Sequence, residues 1–435
     1  MRFRTTVPIL LGLFAAPAVS QDTTGTVVQL QTTYDTRDLS GFVVLPFAGE
    51  AAAVASAAAE VVRRDLDFSD RFQIRDAAGV RASDPVNLSL WRERGADWVL
   101  QGSVAASSGG YALRLTLHDA IYNQAKGQGT FTLPAPSDPR FRMALHAAAD
   151  AVVRWATGED GMAASRIAFV MPGRGSKEIY AVDSDGENLS RVTSDGSIAL
   201  SPAWSPDGSR IAFASYRTGP LVLFERSLAT GQDRVVSSRD GLNITPAYSP
   251  DGRTIAFATT AGGNTEIATV GTGGLRQQTQ ARRAASLSPT FAPDGRRIAF
   301  VSDRLGEPQI YVMELGGGEP RLISDYTYGR RGYSASPDWS PTGPRIVYHA
   351  RTGGSYQLVT VNADGSGARL LTNSGRNEDP SWAPDGRHVV FASDRTGGGL
   401  FVLDTVTGRV RQLVRARGAG LPDWSPALVR AALAQ

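Results

Sequence analysis

Four histidines, at 118, 146, 349 and 388, no cysteine, and a recurring Pro-Asp-Gly signature limit the chemistry open to this chain. Without cysteine there are no disulfides, thiolate nucleophiles, Cys-ligated zinc sites or iron–sulfur clusters. The histidines form no His-Glu-x-x-His pair of the kind that binds zinc on a helix. A serine hydrolase of the type that follows some propellers needs a Gly-x-Ser-x-Gly elbow. The nearest approach, Gly332-Tyr-Ser-Ala-Ser336, lacks the second glycine. Asp207, Asp251, Asp294 and Asp385 recur at one repeat position, but Thr342 stands there in another copy. An Asp between Pro and Gly serves a tight turn, and the Thr substitution argues against a shared catalytic or metal role. The expectation is a protein that is not an enzyme, with no cofactor and no metal centre.

The elements that position these residues are repeats. Segments of the form x-Pro-x-aromatic occur at Ser201–Trp204, Thr245–Tyr248, Ser288–Phe291, Ser336–Trp339, Asp379–Trp382 and Leu421–Trp424. The proline two residues after each aromatic falls at 206, 250, 293, 341, 384 and 426, giving spacings of 44, 43, 48, 43 and 42. An apolar triplet follows each turn, as in Ile211-Ala-Phe213 and Val389-Val-Phe391, and two further strands fit before the next copy. Four short strands in about 43 residues is one propeller blade. The triplet also occurs at Ile167-Ala-Phe169, ahead of the first aromatic segment, while the Trp424 segment has no triplet after it. Pairing these two orphans predicts six blades, the sixth closed from both ends of the domain, with no open sheet edge. One large ring per blade at a fixed position reads as core packing between blades.

Ahead of the repeats the pattern differs. Strands are expected around 41–47, 72–75, 98–104, 111–118 and 124–133. Helices are expected over 51–66, 88–94 and from the Asp138-Pro139 start to about Trp155. That order implies an α/β domain with helices on a mixed sheet. The expected division is 1–20 signal peptide, 21–40 partner-binding or mobile segment, 41–157 α/β domain, 158–164 linker and 165–435 propeller.

Arg2 and Arg4, the apolar run Val7–Phe14 and the small-residue site Ala18-Val19-Ser20 read as a secretion signal cleaved before Gln21. The run is too short to span about 30 Å of hydrocarbon. Cleavage takes the formal charge from +3 to +1, and no basic block suggests nucleic-acid binding.

These features together resemble the TolB family of periplasmic propellers from the Tol–Pal system: the signal, the small α/β domain, six repeats of the Ser-Pro-x-Trp-Ser-Pro-Asp-Gly type, and the ending Pro422-Asp-Trp-Ser-Pro-Ala-Leu428. The sequence adds seven residues after Leu428, and its N-terminal stretch matches the family only loosely. The resemblance implies a periplasmic protein that binds the lipoprotein Pal through the propeller mouth. It also implies a link to TolA through the extreme N-terminus, a role in outer-membrane integrity, cell division and protein import, and no cofactor.

Equivalent loops of all blades gather on one face of a propeller, and function concentrates on loops held by a rigid scaffold. The expected partner-binding mouth is therefore Leu200, Ser201, Leu242, Asn243, Ile244, Thr245, Leu287, Ser288, Ser336, Glu378, Asp379 and Leu421. It also includes the insertion marked by the 48-residue spacing, with Tyr326, Tyr328, Arg330, Arg331 and Tyr333. Tyr and Arg are residue types enriched in binding hot spots. In the N-terminal segment, Gln21, Asp22, Val27 and Val28 are the expected contacts. Other Tol-system or outer-membrane proteins are further expected partners, and the chain is expected to be a monomer. A second reading, a propeller that binds or cleaves a carbohydrate or other small ligand, predicts acidic and aromatic side chains clustered in the channel.

Overall fold

In a computed structural model, residues 39–281, 283–325 and 332–429 are described. The N-terminal domain runs β1 (Ser40–Val44), α1 (Ala52–Phe68), β2 (Phe72–Arg75), α2 (Leu88–Glu93), β3 (Trp98–Ser107), β4 (Gly110–Asp119), β5 (Gln124–Pro134) and α3 (Arg140–Thr157). Its five strands form one mixed sheet in the order β2-β1-β3-β4-β5, with β1 parallel to both β2 and β3 and the other pairs antiparallel. Apolar residues at three- and four-residue spacing put Val54, Ala58, Val62 and Leu66 of α1, with Leu145, Ala148 and Val152 of α3, onto the sheet. Asp138 caps α3 as the Asp138-Pro139 start implies: Pro139 already has helical angles (φ −54°, ψ −22°), and the Asp138 carboxylate accepts from the Arg140 amide at 2.8 Å.

Beyond α3 the chain forms six four-stranded sheets. Blades one to five occupy 199–237, 243–277, 286–322, 334–370 and 377–415. Blade six combines β6 (Arg166–Pro172), β7 (Lys177–Asp183) and β8 (Ser190–Arg191) with the C-terminal strand Gly420–Trp424. That strand pairs antiparallel with β6, Trp424 opposite Ile167 and Asp423 opposite Ala168. Trp424 Nε1 donates to Ser165 Oγ at 2.7 Å, and the Ser425 amide donates to the Arg166 carbonyl at 2.8 Å. The two orphan half-repeats of the sequence therefore complete one another.

The innermost strand of every blade carries the same distortion. Ser201, Thr245, Ser288, Ser336, Asp379 and Leu421 all have φ between 50° and 54°. Each precedes a proline, and strand pairing slips there, so that two residues stand opposite one. A left-handed conformation costs a non-glycine residue of order 1–2 kcal/mol. Its repetition in all six blades shows that the ring geometry requires it.

The N-terminal domain sits on the face of the Pro-Asp-Gly turns, against blades five and six. The Arg387 guanidinium donates to the Asp70 carbonyl at 2.7 Å, Arg409 to the Asp70 carboxylate at 2.9 Å and Arg411 to the Phe68 carbonyl at 3.2 Å. Arg64 donates to the Asp185 carbonyl at 2.8 Å, and Arg142 bonds the Asp185 carboxylate.

Closure predicts a test. Trp424 is 5% exposed and fills the seam of blade six. Trp424→Ala should cost about 3–5 kcal/mol, in the range for deleting a buried aromatic, read as a lower urea midpoint with the slope unchanged.

Candidate functional site

The face opposite the N-terminal domain is the propeller mouth. The left-handed ring residues Ser201, Thr245, Ser288, Ser336, Asp379 and Leu421 line the top of a funnel of about 460 Å³. Below them come the six prolines that follow, then Ala203, Ala247, Thr290, Asp338, Ser381 and Asp423, then the aromatics. Among the described residues no Lys, Arg or His lines this funnel, and the ionisable ones are aspartates on blades four to six, Asp338, Asp379 and Asp423.

The layer beneath the prolines stitches blades together. Asp423 accepts from the Trp204 amide at 2.7 Å, Asp338 from the Trp382 amide at 2.7 Å, Thr290 from the Trp339 amide at 3.2 Å and Ser381 from the Trp424 amide at 3.1 Å. In each case the side chain of one blade holds the backbone of the next. Arginines cap the same aromatics from the preceding blade: Arg210 over Tyr248, Arg297 over Trp339 and Arg345 over Trp382. Burial pushes the Asp423 carboxyl up to about 8 and the Asp338 carboxyl up to about 6; for each, the amide it accepts from acts in the opposite direction.

The mouth loops are pinned by a second repeated device that the sequence reading missed. Glu178 accepts from the Thr193 hydroxyl at 2.5 Å and the Gly196 amide at 2.9 Å. Glu266 accepts from the Thr279 hydroxyl at 2.5 Å and the Ala281 amide at 2.6 Å. Gln309 and Gln357 accept from Ser324 and Thr372 at 2.7 and 2.8 Å, and their amides donate to the Gly332 and Gly375 carbonyls. The signal was a Glu or Gln followed by Thr or Ser 13–15 residues later, once in each of four blades.

Among the expected mouth residues, Leu200, Ile244, Leu287 and Glu378 are partly exposed and Leu242 is 41% exposed. Ile198, in the loop ahead of Ser201, joins them at 37%, as do Tyr216 and Leu305, which were not singled out, at 39% and 44%. Asn243 is fully buried. Its amide donates to the Leu221 and Arg239 carbonyls at 3.1 and 2.8 Å, so it positions the loop from beneath. Tyr333 stacks on His349 with ring centres 6.1 Å apart and meets Tyr356 edge-on at 5.3 Å. The His349 Nδ1 accepts from the Asp379 amide at 3.2 Å, which ties this aromatic cluster to the ring. Burial holds His349 below the usual histidine range, consistent with an accepting nitrogen. Blade four's central hairpin, Arg345–Thr352 with Ser355–Asn362, is two residues per strand longer than most and carries this cluster. Tyr326, Tyr328, Arg330 and Arg331, and Gln21, Asp22, Val27 and Val28, lie outside the described residues, as does the expected signal peptide.

Two buried groups have donor sets that suit a metal, Asp65 with His146 and Asp185, and Asp70 with His388 and Asp404. Arginines already occupy both: Arg142 bonds Asp185, and Arg387 and Arg409 bond Asp404 and Asp70. The turn aspartates behave as expected at 207, 251 and 294, each accepting from an amide two residues on. Asp385 departs, adding a 2.7 Å contact to His388 Nδ1.

A closed six-bladed propeller whose reverse face carries a five-stranded α/β domain is the class that this fold defines. A family model described as "TolB beta propeller domain" matches residues 153–428, and one described as "TolB amino-terminal domain" matches 32–125. The chain is 34% identical over 378 residues to the Tol-Pal system protein TolB of Bordetella pertussis, covering 85% of this chain and 84% of that protein. With the TolB proteins of Bordetella avium and Polaromonas naphthalenivorans the match spans under half their length, 42% and 46%, at 34% and 33% identity, and the same shares of this chain. The crystal structure of TolB from Acinetobacter baumannii superposes with a TM-score of 0.79 at 27% identity, covering 89% of this chain and 97% of that one. The chain belongs to the TolB family.

The channel carboxyls predict a pH effect. Asp423 has a folded pKa near 8, above the ordinary 3.8. Its share of stability is thus full below about pH 4 and lost as pH rises toward 8. Asp423→Asn keeps an acceptor for the Trp204 amide and removes the ionisation. Its urea midpoint should exceed the parent's progressively from pH 5 to pH 8; parallel curves would show that the carboxyl is free to ionise.

Proposed function

We propose that this chain is a non-enzymatic periplasmic scaffold of the Tol–Pal system. It binds the peptidoglycan-associated lipoprotein Pal through the propeller mouth and connects to TolA through residues 21–40, in support of outer-membrane integrity and cell division. The observation that carries the reading is the mouth itself. Ile198, Tyr216, Leu242 and Leu305 stand more than a third exposed around a funnel with polar and carboxyl walls. Apolar groups on a rigid rim around a concave polar centre fit a protein partner. Family membership and the names of the relatives, Tol-Pal system proteins, support the assignment to that system. Among the described residues no helix is long and apolar enough to cross a membrane, which fits a protein that meets membranes through partners.

The test is a calorimetric titration of the mature chain with the soluble domain of Pal. Leu242→Asp combined with Leu287→Asp should weaken binding at least tenfold, while Arg253→Glu, beside a Pro-Asp-Gly turn on the reverse face, should leave it unchanged. Tyr328→Ala with Arg330→Ala tests the insertion in the same assay. A folded Leu242/Leu287 variant with the parent affinity would remove the mouth from the binding site.

A further inference from the structure

We propose that docking of the N-terminal domain onto the propeller is proton-linked: His146 and His388 each take up a proton as the seam closes, so the seam loosens as pH rises. The geometry of both rings carries this. His146 lies fully buried on α3, with Nδ1 2.7 Å from Asp65 of α1 and Nε2 3.7 Å from Asp183 at the end of β7. His388 lies fully buried in blade five, with Nδ1 2.7 Å from Asp385 and Nε2 3.3 Å from Asp70, in the turn after α1. A neutral imidazole has one donor and one acceptor nitrogen. In both rings Nδ1 meets one carboxylate at hydrogen-bond distance, while Nε2 makes no hydrogen bond and faces the second carboxylate as a nearby charge; two flanking carboxylates favour the imidazolium. In both cases one carboxylate belongs to the N-terminal domain and the other to the propeller, so the doubly faced ring exists only when the domains are together.

The surrounding charges agree. Facing His146 are Asp65, Asp183, Asp185 and Glu187, against Arg64, Arg142 and Arg166. Facing His388 are Asp67, Asp70, Asp385, Asp404 and, through Arg71, Glu159, against Arg71, Arg387, Arg409 and Arg411. Burial pushes the Asp65 carboxyl up against the pull of His146, whereas, despite burial, Asp183 and Asp385 are held down by the histidines they face. Asp150, one turn along α3 from His146, accepts from the linker amides of Ala163 and Ala164, and burial pushes it up to about 7.

Burial pulls both histidines down, but the carboxylates outweigh it, holding His146 near 10 and His388 above its ordinary value. On separation each ring keeps the carboxylate of its own domain, Asp65 for His146 and Asp385 for His388, and loses the one across the seam, so its pKa falls from the docked value. The histidine contribution to docking is therefore complete below the pKa of the separated domain. It falls by up to about tenfold per pH unit per imidazole as pH rises toward the docked value. On the acid side, Asp183, Asp385 and Asp404 are held below the carboxylate range despite burial, by their histidine and arginine partners. Their contribution is lost below about pH 4, so the seam is tightest between about pH 4 and the histidine pKa of the separated domain.

The chain has no cysteine, so Gln128→Cys and Thr230→Cys place two unique spin labels, one on each domain. Distances measured in mild urea should show the ratio of open to docked molecules rising between pH 6.5 and 9, by at most about tenfold per pH unit for one ring and about a hundredfold for both. His146→Gln with His388→Gln should flatten that slope. Nitrogen NMR of the full chain at pH 7.5, with only four histidines to assign, should show two rings protonated on both nitrogens, and this reading needs no variant. A pH-independent ratio in the parent, or neutral rings at 146 and 388 at pH 7.5, would overturn the proposal.

Discussion

A ring held together without covalent cross-links has one joint where the polypeptide must meet itself, and here Gly420–Trp424 beside β6 makes that joint. The partners lie more than 240 residues apart, so the loop-closure entropy is drawn from the whole domain at once. What holds it is local: Trp424 in the seam, its indole on Ser165, and Asp423 reaching across to the amide of Trp204 in blade one. The other blade junctions, the funnel and the footprint of the N-terminal domain have fixed geometry only because this pairing forms.

The two faces divide the labour. Turns on the reverse face bear arginines and aspartates that grip α1 and α3, and the opposite face bears loops tied down by buried Glu, Gln and Asn. Both faces share the same strands, so a displacement at the rim of blades five and six reaches the seam through six-residue segments of sheet.

The architecture was legible in the sequence because it is periodic. A proline, an aromatic and a Pro-Asp-Gly turn every 43 residues or so mark blade length, blade number and the point of closure. The ring residues Ser201, Thr245, Ser288, Ser336, Asp379 and Leu421 were found for the same reason, though their left-handed backbone was not: nothing in Leu-Pro announces a positive φ, which the curvature of the ring imposes. Asn243 was read as a surface contact because its loop is variable, whereas its carboxamide satisfies carbonyls inside the blade. His146 and His388 showed nothing in the sequence beyond the lack of a His-Glu-x-x-His pair. Their partners Asp65, Asp70, Asp183 and Asp385 come from distant parts of the chain, and only the packing of one domain on the other brings them together.

The stitches between blades are unevenly distributed. Thr290, Asp338, Ser381 and Asp423 bind the junctions from blade three round to blade one, but the corresponding residues for the remaining two are Ala203 and Ala247, which have no side-chain acceptor. Those two junctions are held from outside that layer, by the Tyr248 hydroxyl donating to Glu225 at 2.5 Å and the Ser288 amide donating to Thr245 at 3.2 Å, so a load on the rim crosses blade two by a different route from the one it takes around the rest of the disc.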